Sequence, residues 1–145
     1  RQSRWSSRMA VTLNAFEALD WKADVALAWD AGVNEKNQLT PEQNTQLVND
    51  VESVVLVGWS YDKKYRKPWD TVCLQVGNDR YYAERVQREE IADQLGNEAL
   101  LECGMLFVIP REAFEHQTSA ELMLMDFGSK GYARERVEIL HETCN

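Results

Sequence analysis

The chain has 145 residues, a length that suits one compact domain, and its 44% hydrophobic and 28% charged residues exclude a disordered type of sequence. A formal net charge of −8 argues against long-range attraction to nucleic acid or anionic membranes and favours basic partners. No apolar run is long enough to cross a bilayer as a helix.

The charge is uneven. Residues 59–88 carry seven Lys or Arg against four Asp or Glu, and acidic arms flank them. Cys73, Cys103 and Cys144 make an odd, low count without a secretion signal. That pattern reads as free thiols in a reducing compartment, and so as a cytoplasmic protein. Residues 1–8, ahead of Met9, read as leader or appended residues, which leaves residues 9–145 as a single α+β domain.

The stretch "LNAFEALDWKADVALAWDAG" is predicted as the first helix, with Asn14 and Glu17 as a capping box and Gly32 as its stop. The alternation of Val25, Leu27 and Trp29 also permits a strand, but the alanines favour helix. A second helix is expected from Thr40 as N-cap, through Pro41, to about Glu52, burying Leu47, Val48 and Val51. From Val54 the period changes, and "VVLVGW" is a short β-branched strand. Ser60 to Asp70 reads as a hairpin tip leading to "TVCLQV", where Val72, Leu74 and Val76 share one face. A turn at "GND" returns the chain in "RYYAERV". A short helix ending at Gly96 follows, with Ile91 and Leu95 inward. Then come the strand "GMLFVIP", a helical turn at "REAFEH", the strand "AELMLMDF", the turn "GSKG" and the last strand "YARERVEIL". Near Met123 the apolar residues run almost without a break, so both faces of that strand should be covered. The expected architecture is α+β: two N-terminal helices packed on a mostly antiparallel sheet of about five or six strands, with one or two short inserted helices.

The sequence holds neither GxGxxG nor GxxxxGK[ST], so phosphate-cradling loops have no support. Cys103, His116, His141 and Cys144 offer zinc-type ligands without clip spacing, and no metal or cofactor is expected. No GxSxG elbow occurs, and the paired carboxylates Glu89/Glu90, Glu112/Glu115 and Glu135/Glu138 read as solvated faces. No catalytic residue is expected.

Two surfaces stand out. Lys63, Lys64, Arg66 and Lys67 lie among Tyr61, Tyr65 and Trp69, a mixture that can hold a single strand by phosphate pairing and base stacking. Tyr81, Arg85, Tyr132, Arg134 and Arg136 extend this patch if the last strand lies near the third. The second surface is the expected helical strip of Glu17, Asp20 and Asp24 beside Trp21 and Trp29, which suits a basic protein partner. The leading expectation is a non-enzymatic acidic binding protein that recognises or masks such a partner. In size and charge it has the character of a bacterial inhibitor or immunity protein, an analogy that no motif supports. The alternatives are a nucleic-acid accessory factor using residues 60–70 and a small-ligand domain with a pocket lined by Trp21, Trp29 or Trp59.

Overall fold

The computed structural model describes residues 15–142. The expected leader, Asn14 and Cys144 lie outside the described residues. Among the described residues eleven strands form two sheets. The six-stranded sheet contains β1 (Glu17–Ala18), β3 (Gln38–Leu39), β6 (Thr71–Val76), β7 (Asp79–Tyr82), β10 (Ser119–Asp126) and β11 (Gly131–Ile139), in the order β1-β11-β10-β6-β7 with β3 also on β11. The five-stranded sheet contains β2 (Val25–Ala31), β4 (Thr45–Val48), β5 (Val51–Asp62), β8 (Glu84–Val86) and β9 (Gly104–Pro110), in the order β2-β5-β9-β8 with β4 on β5. Pairing is antiparallel except where β1 and β3 join β11.

Alternate residues of each sheet meet in one core. Leu56, Met105, Phe107 and Ile109 come from the five-stranded sheet, and Leu74, Leu122, Leu124 and Val137 from the other. The molecule is therefore a β-sandwich, and the expected pair of N-terminal helices is overturned. Among the described residues only one helix, α3 (Glu89–Leu95), exceeds a single turn; α1 (Trp21–Asp24) and α2 (Pro41–Asn44) have four residues each.

Both errors have the same cause: propensity differences of a few tenths of a kcal/mol per residue lose to burial across a sheet. In the first segment Val25, Leu27 and Trp29 lie opposite Asp62, Ser60 and Gly58 and pack on the core. Gly58 admits this approach, because a Cβ there would sit 2.4 Å from the Ala28 carbonyl oxygen. In the second, the helix starting at Pro41 stops after one turn, and residues 45–48 pair back on β5. Asn49 and Asp50 both adopt left-handed backbone, φ 53° and 64°, the geometry of a tight hairpin turn. Leu47 and Val51, expected inside, are 72% and 56% exposed.

Two further expectations change. Residues 60–70 close a tight turn at an isolated antiparallel bridge of Asp62 with Lys67, but β5 and β6 do not pair as a hairpin, since they lie in different sheets and the loop crosses between them. The strand expected over 80–86 changes sheet at Ala83, with β7 on β6 and β8 on β9. The short helix does end at Gly96, whose φ is 62°, but Leu95 is exposed and Ala92 is buried with Ile91. Both faces of β10 are buried around Met123, as the apolar run implies.

Candidate functional site

The basic stretch is dispersed by the fold. The backbone N–H of Lys63 and its Nζ both donate to the end of α1, to the carbonyls of Asp24 and Lys22. Lys67 pairs with the buried Asp126 at 3.1 Å. Lys64 lies over the Tyr65 ring, 5.4 Å from its centroid, and the Arg66 carbonyl accepts from Asn97. Trp69 is only 2% exposed, and Tyr61 stacks on Trp59 beneath α3. What remains exposed is Lys63, Lys64, Tyr65 and Arg66, with Lys63 tethered to α1. The expected extension fails as well. β11, with Tyr132, Arg134 and Arg136, is separated from β7 by β10 and β6, while Arg85 donates to the carbonyls of Trp69 and Asp70.

The acidic helical strip does not exist as drawn. Glu17 lies in the short edge strand β1. Asp20 accepts from the Lys22 N–H and Asp24 accepts from the Asp20 N–H, so these two carboxylates close the single turn of α1. The two indoles nevertheless converge. Trp21 and Trp29 line one groove of about 620 Å³, with Leu27 and Val33 as its apolar wall. Trp59 lies elsewhere, on the outer face under α3.

The polar groups of this groove come from residues that had no expected binding role, and Glu135, expected on a solvated face, is half-buried here. Glu35, Asn34 and Asn37 arrive from the turn before β3, and Glu135 from β11. That turn is rigid. Asn34 Oδ1 accepts from the N–H groups of Lys36 and Gln38, while Asn37 takes a left-handed conformation and its side chain donates to the Arg136 carbonyl. Glu135 sits at the same parity as the core residues Ala133 and Val137, so it turns toward the space between the sheets. The only sequence signal for it was one polar residue in an otherwise apolar inward series.

No protein-family model matches the chain, and neither does any curated protein or solved structure.

The remaining reactive groups offer little chemistry. Burial pushes the Cys73 thiol up to about 11 and raises Cys103 as well, which disfavours thiolate. His141 is held between Glu42 at 3.2 Å and the Gln117 carbonyl at 2.7 Å, apart from Cys103. Among the described residues no group of three or more His, Cys, Asp or Glu is placed to hold a metal ion. No helix there is long and apolar enough to cross a membrane.

Proposed function

We propose that this chain is a non-enzymatic binding protein, and that it recognises a basic protein partner through the Trp21–Trp29 groove. The observation that carries the reading is the meeting of two indoles with two carboxylates, Glu35 and Glu135, in one groove. An Arg or Lys side chain fits such a site in two ways at once. Its cation gains from the ring face and from the carboxylates, and its methylene stem lies on apolar wall. The net charge of −8 would speed encounter with a basic surface. Such binding masks or recruits the partner without making or breaking bonds. Buried free thiols at Cys73 and Cys103 support a reducing compartment such as the cytoplasm.

Titration with Arg-rich peptides, read by Trp fluorescence, tests the reading. Binding should weaken at least tenfold in Glu135→Gln and fall with added salt. Equal response to acidic and basic peptides would sink it.

A second reading, a small-molecule site, is favoured by the groove volume of about 620 Å³, which lies in the range of ligand pockets. Fluorescence quenching by a neutral metabolite, insensitive to salt, would select it. The tethering of Lys63 and Lys67 speaks against a nucleic-acid surface at residues 60–70.

A further inference from the structure

The groove lies along an interrupted sheet edge. β1 pairs with β11 only at Gly131 and Tyr132, and β3 only at Glu138 and Ile139. Between them Ala133–Val137 pair, among the described residues, with β10 alone. This gap spans roughly 17 Å of strand at about 3.3 Å per residue, and within it the Asn37 side chain already holds the Arg136 carbonyl. Its facing lip is β2, an edge strand whose described pairing is to β5 alone.

The backbone groups along the gap point the right way. The Tyr132 carbonyl accepts from the Leu19 N–H, and the Glu138 N–H donates to the Asn37 carbonyl, so even-numbered positions of β11 turn their backbone to this side. Arg134 lies between those two contacts, and among the described residues its backbone meets no partner there. The Arg136 N–H is taken by a side chain, Glu135 Oε1 at 3.1 Å. That carboxylate occupies the place of an incoming strand carbonyl.

We propose that the seam between β2 and β11 is a strand-addition site, which takes an extended segment of a basic partner into the gap between β1 and β3. The proposal rests on the recognition function above and specifies its mode. Main-chain hydrogen bonds to both backbone groups of Arg134 and to the Arg136 N–H supply register, the Arg136 carbonyl being held by Asn37, and alternate side chains supply specificity. An incoming carbonyl accepts from the Arg136 N–H and releases Glu135 to pair with a Lys or Arg of the added segment. Glu35, from the turn before β3, extends the same charge preference. Trp21, just after β1, and Asn37, just before β3, bracket the slot. The two arginines of this edge do not oppose a basic segment from within the seam. They sit at the parity that faces away from the core, where Arg134 pairs with Glu121 at 3.2 Å.

The test uses a ten-residue peptide of alternating Arg and Val, and two versions of it N-methylated on one or the other alternate set of amides. The unmethylated peptide should bind, slow hydrogen exchange of the Arg134 and Arg136 amides at least tenfold, and lose at least tenfold in affinity in one N-methylated version. Equal binding by all three peptides with unchanged exchange would overturn strand addition and leave the recognition function standing. No binding by any of them would overturn both.

Discussion

Asp62 and Asp126 face one another from two turns built on the same plan. Asp62 Oδ1 accepts from the N–H groups of Lys64 and Tyr65, and Asp126 Oδ1 from those of Gly128 and Ser129. Each turn closes through a left-handed residue four places on, Arg66 at φ 55° and Lys130 at φ 58°. Both aspartates are 1% exposed, their carboxyl groups lie within hydrogen-bonding reach of each other, and among the described residues the Oδ2 of each meets no donor. Two buried carboxyl groups this close favour the protonated form of Asp62. Burial pushes Asp62 up, and Asp126 adds to that against its turn amides. Burial works the same way on Asp126, but Lys67 and the turn amides outweigh it and hold that carboxyl at about 2.

The two aspartates therefore respond oppositely to neutralisation. A raised acid stabilises the fold below its unfolded value of 3.8 and loses that contribution as pH rises through its folded value. Asp62→Asn should keep the turn and donate an N–H to Asp126, gaining about 1 kcal/mol at pH 7, with the gain vanishing in acid. Asp126→Asn removes the partner of Lys67 and should cost about 2 kcal/mol at pH 7. Its contribution is present above 3.8 and fades as pH falls toward about 2. Urea unfolding at pH 4 and 7 measures both. A loss of stability in Asp62→Asn at pH 7 would refute this account of the pair.

The basic residues of the crossover loop should be unequal in the same assay. Lys67→Ala should cost about 2 kcal/mol, since it leaves Asp126 buried without its cation. Lys64→Ala removes one contact over an exposed ring and should stay within about 0.5 kcal/mol. Equal effects would mean that Lys67 is as free as Lys64.

His141 ties the last described residues to α2 in a pH-dependent way. Both ring nitrogens face acceptors, the Gln117 carbonyl and the Glu42 carboxylate, so only the doubly protonated ring satisfies both. The Gln117 carbonyl and then Glu42 raise its pKa above 6.5 against the effect of burial. The stabilisation is complete below 6.5 and is lost as pH rises through the folded value. Burial opposes ionisation of Glu42, but hydrogen bonds and His141 lower its pKa below 4.5, so its share is lost in acid. The side chains are 35% and 30% exposed, so the pair contributes about 0.5 kcal/mol. His141→Gln should flatten the stability profile above pH 6; an unchanged slope there would refute the clamp.

Asp50 distinguishes strand from helix by sign. In the observed turn it has φ 64°, which glycine adopts without strain. Asp50→Gly should stabilise the protein by about 0.5 kcal/mol, whereas in a continuous helix it would cost about as much. Thermal unfolding of this one variant decides between them.

Local chemistry alone made several features legible. Gly96 ended its helix, Pro41 began a helical turn, "GND" turned β6 into β7, and "REAF" formed a short 3-10 segment. Each depends on backbone preferences within a few residues, and those act before any tertiary contact exists. Tertiary structure alone decided that Val25–Ala31 is a strand, that β5 pairs with β2 and β9 rather than β6, and that Trp21, Trp29 and Glu135 share a groove. It also brought Asp62 to Asp126, although "DKKYRK" and "DFGSKG" carry the same turn pattern. The reason is that sheet partners are chosen by burial summed over residues far apart in the chain. A propensity read along one segment has no access to that sum.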